Sequence, residues 1–157
     1  MNIMSFLDER AVTTDLKAHA NKEDIIRELV ELLVRAGSIK DRDGNKLVQT
    51  LMKRESLGST GIGQGVAIPH GKSDAVTSLV GAFGVSRAGV NFDSLDGEPV
   101  HLFFLLVAPE DSAGPHLKAL ARISRLLKDK HFRDTLKHAK DEKALLKIIK
   151  DEDEHRH

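Results

Sequence analysis

The order of periodicities along the chain predicts an α/β domain, a three-layer α/β/α sandwich with a mixed central sheet. Three observations predict it. Helical periodicity fills residues 21–57, strand-like segments fill 66–108, and helical periodicity returns from Pro115. Helices on both flanks of a strand block bury their apolar faces when the sheet lies between two helical layers. Strand and helix do not alternate strictly, so a doubly wound nucleotide-binding sheet is not expected. At 157 residues the chain has the length of one domain with a sizeable core, and no repeat or linker divides it. The domain is expected over residues 1–150, with 151–157, "DEDEHRH", as a frayed polar tail.

The elements follow in order. "AVTTDLK" reads as a short edge strand. "NKEDIIRELVELLVRAG" sets Ile25, Ile26, Leu29, Leu32 and Leu33 at helical spacing, with Asn21 as N-cap and Gly37 at the stop. "DGNKLVQTLMKRESLG" is a second helix, capped at or near Asp43, with Leu47, Val48, Leu51 and Met52 as its apolar face and Gly58 after its end. "GVAIPHG" reads as a short strand running into a loop, and "SLVGAFGVS" alternates as a further strand. Asp96-Gly97 signals a tight turn. "VHLFFLLVAP" is almost unbroken in apolar residues, the pattern of a strand covered on both faces. "PHLKALARISRLLKD" places Leu117, Leu120, Ala121 and Leu127 on one side of a helix, with Ile123 and Ser124 nearby. "KHFRDTLKHA" and "DEKALLKIIKDE" continue as shorter helices, the last with Leu145, Leu146, Ile148 and Ile149.

Composition excludes several functions. Lys+Arg and Asp+Glu both number 24, a formal net charge of zero, which argues against the basic face that nucleic-acid binding requires. No cysteine is present, so a disulfide framework, a thiolate metal site and a cysteine nucleophile are all ruled out. With no Trp or Tyr, platforms for stacking bases or sugars are scarce. The N-terminus "MNIMSFLDERAV" lacks the basic and apolar regions of a signal peptide. The apolar run Leu102–Ala108 is too short to cross a bilayer. A cytoplasmic protein without membrane insertion is expected.

The chemistry concentrates in "GSTGIGQGVAIPHGK", residues 58–72, which holds five glycines, one proline and one histidine. Glycines let a backbone approach an anion closely. The stretch ends in Gly-Lys-Ser, yet Pro69 interrupts the turn and no helical pattern follows Lys72, so it is no P-loop. His70 supplies what a glycine loop lacks. Imidazole offers a neutral nitrogen nucleophile near pH 7, and its attack on a phosphoryl group splits one transfer into two easier steps. The phosphoryl oxygens then need cations or N–H donors. Pro69 fixes the backbone entering the loop, and Gly71 is expected to help stabilise the phosphate and to leave a partner protein room to approach.

Two supporting residues are expected, each with a plainer alternative. Arg54, near the end of the second helix, could hold phosphoryl oxygens with its planar fork; as a cation at a helix C-terminus it would equally oppose the macrodipole. Pro115 suits the first helical position, which puts His116 in the first turn, where free N–H groups favour an anion; the alternative is an ordinary exposed residue. Thr60 could add a hydroxyl or backbone donor. His19, His101, His131 and His138 read as structural or surface residues, and the two tail histidines as solvated. No histidine pair has the compact spacing of a zinc site.

"MKRESLGSTGIGQGVAIPHGK" resembles the active-site block of the enzyme IIA components of the bacterial phosphotransferase system, fructose/mannitol class. "PHLKALARISRLLKD" resembles that family's second histidine segment, and the likeness runs from about Leu7 to the last helices. The resemblance implies an α/β/α sandwich with a mixed sheet. It implies that His70 accepts a phosphoryl group, on Nε2, from a phosphohistidine on the small carrier HPr or its nitrogen-branch paralogue. His116 and Arg54 would line the site, and neither a metal nor an organic cofactor is expected. Within the family the chain most resembles the nitrogen-regulatory branch. There the phosphorylation state is the output, read by targets such as potassium-transport and sensor-kinase proteins. A sugar-transport IIA serving a separate IIB domain, and a binding module that takes no phosphate, are the other two readings.

Overall fold

In the computed structural model, which describes residues 2–155, a 3-10 turn over Ile3–Ser5 leads into β1 (Leu7–Thr13) and then α1 (Lys22–Ala36). The Asn21 side chain accepts the Asp24 N–H at 2.9 Å, and Gly37 closes α1 with a left-handed φ of 85°. A 3-10 turn, Asp41–Asp43, runs directly into α2 (Gly44–Ser56). Asp43 therefore does not cap α2 through its side chain. The turn already bonds the Gly44 N–H to the Asp41 carbonyl.

Four strands come next: β2 (Gly61–Gly63), β3 (Val66–Ala67), β4 (His70–Lys72) and β5 (Val80–Val90). Then follow β6 (Val100–Ala108), α3 (Ala113–Leu126), α4 (Lys130–Lys137) and α5 (Glu142–His155). The sheet order is β1-β5-β6-β3-β2, with β4 also paired to β6. Parallel pairs (β1 with β5, β3 and β4 with β6) mix with antiparallel ones (β5 with β6, β2 with β3). β3 and β4 thus share one side of β6, at Leu102–Phe103 and at Leu106–Ala108, and are separated by Ile68 and Pro69.

β6 shows why its sequence is apolar throughout. Phe103, Leu105 and Val107 join the core under α1 and α2, whereas Leu102, Phe104 and Leu106 join the core under α3, α4 and α5. Among the described residues, no helix is long and apolar enough to cross a membrane.

Several details differ from the sequence expectation. The first strand begins at Leu7 and ends at Thr13, so only part of "AVTTDLK" is in it, although it does lie at a sheet edge. β2, Gly-Ile-Gly, carries too little side-chain pattern to be read. α3 buries His116, Ala119, Arg122, Ile123 and Leu126, whereas Leu117 is 67% exposed and Ala121 faces solvent. The inward stripe was masked by two polar residues lying on it. The boundary at residue 150 also falls inside an element, because α5 continues to His155 and Asp153 is only 2% exposed. Asp153 accepts the Ile3 N–H at 3.1 Å and the Met4 N–H at 3.0 Å, and pairs with Arg122 at 2.9 Å. Of the tail, only residues 156 and 157 lie outside the described residues.

Candidate active site

His70 opens β4, opposite Leu106 of β6. Pro69 has no N–H to offer the ladder, but its carbonyl accepts the Leu106 N–H at 3.0 Å and anchors the strand start. The imidazole is half-buried, and its Nδ1 lies 2.8 Å from the Ile68 carbonyl oxygen. A carbonyl can only accept, so Nδ1 carries the ring proton and Nε2 keeps its lone pair. Burial lowers the His70 pKa below the ordinary 6.5. The Ile68 bond works against that shift, Arg54 adds to it, and Glu55 opposes it. At neutral pH the ring is an uncharged nucleophile.

His116 stands against it. The two ring centroids are 5.5 Å apart with planes at 72°, so residues 46 positions apart in sequence meet edge to face. His116 is the fourth residue of α3, and Pro115 is the third rather than the first. The His116 N–H donates to the Ser112 carbonyl at 3.0 Å, so it is not one of the free amides expected to attract an anion. What the residue does present is a buried Nε2 with no hydrogen-bond partner. Burial lowers its pKa, with the charges of His70 and Lys72 adding to the effect.

Arg54 occupies the last turn of α2 and donates from Nη1 to the Gly58 carbonyl at 2.8 Å. That bond clasps the turn leaving the helix and uses one donor of the fork, while the charge is still felt at His70. Both sequence readings of Arg54 therefore have a basis.

Thr60 and Gly71 are placed differently from expectation. Thr60 is 3% exposed, and its hydroxyl and its N–H both donate to the Glu55 carboxylate. Neither donor is left to meet a phosphoryl group. The β4–β6 register turns the Gly71 N–H toward Leu106. A Cβ at Gly71 would touch Leu51 and Thr50 of α2 at 3.4 and 3.6 Å. Gly71 therefore faces α2 at ordinary contact distance on the side where a side chain would stand.

Sequence reasoning missed two charged neighbours. Lys72, two residues from His70, shares its side of the strand. Glu55 continues the inward stripe of Leu47, Val48 and Leu51, and a carboxylate on such a stripe was the readable signal. The remaining histidines lie elsewhere: His101 donates from Nδ1 to the Ser86 carbonyl at 2.8 Å, and His19, His131 and His138 are exposed. Among the described residues, no cluster of three or more His, Asp or Glu could hold a metal ion.

A neutral histidine nucleophile beside a second histidine and a guanidinium, at one end of a mixed-sheet sandwich, defines a group-transfer domain. The chain belongs to the EIIA 2 family of the phosphoenolpyruvate-dependent sugar phosphotransferase system, whose model matches residues 5–152. It is 40% identical over 153 residues to the fructose-specific EIIABC component of Bacillus subtilis, covering 98% of this chain but only 24% of that one. It is 37% identical over 149 residues to a nitrogen regulatory protein of Bradyrhizobium diazoefficiens, covering 95% of each. The crystal structure of nitrogen regulatory protein IIA-Ntr from Neisseria meningitidis superposes with a TM-score of 0.83 at 35% identity, over 94% of this chain and 98% of that one.

Proposed function

We propose that His70 accepts a phosphoryl group on Nε2 from a phosphohistidine carrier, HPr or its nitrogen-branch paralogue. Its phosphorylation state then acts as a regulatory signal in the cytoplasm. The observation that carries this reading is the Nδ1–Ile68 bond, which fixes the tautomer and leaves Nε2 as the nucleophilic nitrogen beside His116. As the donor's P–N bond breaks, the new P–N bond forms at Nε2 and positive charge develops on the ring. The Ile68 carbonyl already faces Nδ1–H and bonds it more strongly as that charge grows. No proton has to move. The buried Nε2 of His116, as an N–H, would donate to a phosphoryl oxygen, and the Arg54 and Lys72 charges would offset the added negative charge.

End-to-end likeness to nitrogen regulatory proteins favours signalling, with a target protein such as a potassium transporter or sensor kinase discriminating between the two states. The fructose-specific relative favours a second reading, in which the same phosphohistidine passes its group to a IIB domain. Incubation with phosphorylated carrier should add the mass of one acid-labile phosphoryl group, and His70→Ala should gain none. Absence of any gain in the wild-type chain across several carriers would leave only a phosphate-free binding module. Rapid onward transfer to a IIB domain would replace the regulatory reading with the sugar-transport one.

A further inference from the structure

We propose that Glu55 is a positioning residue for His70, acting through Thr60 and the Ile68 backbone. The inference rests on His70 being the phosphoryl acceptor, but it concerns how the ring is held rather than what it receives. Glu55 is 6% exposed, on the last turn of α2. Its carboxylate accepts the Thr60 hydroxyl, the Thr60 N–H at 3.2 Å and the Lys22 ammonium at 3.1 Å. The Thr60 carbonyl accepts the Ile68 N–H at 3.0 Å, and the Ile68 carbonyl accepts the Nδ1–H of His70 at 2.8 Å. Three links in series therefore join a buried carboxylate to the nitrogen opposite the nucleophile.

The middle link matters most. Ile68 donates from its N–H and accepts at its carbonyl, which belong to successive peptide groups; Pro69 holds the residue before it to extended backbone angles, so fixing the Ile68 N–H restricts the direction of its carbonyl. The turn between α2 and β2, residues 57–60, is tied to Phe92 through the Ser59 hydroxyl, which donates to the Phe92 carbonyl at 2.7 Å. Two consecutive side chains of α2 grip it as well: Arg54 through the Gly58 carbonyl and Glu55 through Thr60. Lys22 at the start of α1 balances the buried charge and lies 5.0 Å from the centre of the Phe92 ring. A carboxylate on the inward stripe of a helix is costly, and here it orients the acceptor histidine.

The plain alternative is that Glu55 and Lys22 merely tie α1 to α2. Tautomer populations separate the two, because a tie between helices moves the melting temperature and leaves the imidazole alone. The experiment uses the full chain with ¹⁵N-labelled histidine, without phosphate, well below each variant's melting temperature. Wild-type His70 should show the Nδ1–H form. Glu55→Gln should populate the Nε2–H form, and with phosphorylated carrier kcat should fall by about 10–100-fold while KM changes little. Thr60→Val removes the hydroxyl bond of the same link, leaves the Thr60 N–H bond and both charges in place, and should act in the same direction to a smaller extent, and Thr60→Ser should restore the wild-type tautomer and rate. These two variants decide the matter if Glu55→Gln does not fold. Wild-type tautomer and kcat in Glu55→Gln, or in Thr60→Val, overturn the proposal whatever happens to stability. If the wild-type chain takes no phosphate, the acceptor reading fails, and the tautomer populations still decide for or against Glu55.

Discussion

At the scale of the residue, the site turns on two imidazoles kept neutral by burial. Both His70 and His116 have pKa values lowered from 6.5, with desolvation as the largest cause. The groups facing His70 are Arg54 and Glu55 from α2 and His116 from α3, with Lys72 acting on His116. A base with a lowered pKa stays unprotonated to lower pH, so the Nε2 lone pair survives below the point where a free imidazole is half lost. An NMR titration of the His70 ring should therefore reach its midpoint below 6.5; a midpoint at or above that value contradicts the burial argument. His116 makes a separate claim. Its buried Nε2 has no hydrogen-bond partner, and in the proposed reading it would donate, as an N–H, to the charge that arrives with the phosphoryl group. His116→Ala should slow single-turnover transfer by about 10²–10³-fold with carrier affinity nearly unchanged. Equal losses in rate and affinity would make it a docking residue instead.

At the scale of the element, legibility followed how much of a residue's setting is local. α1 was readable end to end because its cap, its apolar stripe and its stop all lie within its own seventeen residues, Asn21–Gly37. β6 was readable because both its faces are covered, so the whole strand is apolar. α3 was read with its inner face misplaced, since His116 and Arg122 hold inward positions that polarity alone assigns to water. Each has a reason that lies elsewhere in the chain: His70 for one, Asp153 for the other. The same holds at the site. His70, Arg54 and His116 stood out by residue type and motif. Thr60 looked like a phosphate donor because its partner, Glu55, lies on the preceding helix, and Gly71 looked open because Leu51 and Thr50 pack from α2. Period and propensity carry no information on such distant contacts.

At the scale of the whole molecule, the ends of the chain and the site meet on α3. His116 lies at its start, and Arg122, six residues or about 9 Å further along the helix, is buried against Asp153 of α5. Asp153 also receives the Ile3 and Met4 amides, so one carboxylate joins the first turn of the chain, α3 and the last helix. A chain ending at Lys150 discards that carboxylate. Arg122, 3% exposed, is then left as a buried cation without its counterion. Breaking a buried pair from one side costs about 3–5 kcal/mol. In a domain of this size, each kcal/mol lowers the melting temperature by about 2–4 °C, so the shortened chain should melt about 6–20 °C below the full one. Asp153→Ala in the full chain should reproduce most of that loss, because the charge rather than the helix length is responsible. Replacing both partners, as Arg122→Met with Asp153→Leu, should recover part of it, since no uncompensated charge remains. A thermal melt of the three variants decides the point: a shortened chain that melts with the wild type would make residues 151–155 the dispensable tail that their composition suggests.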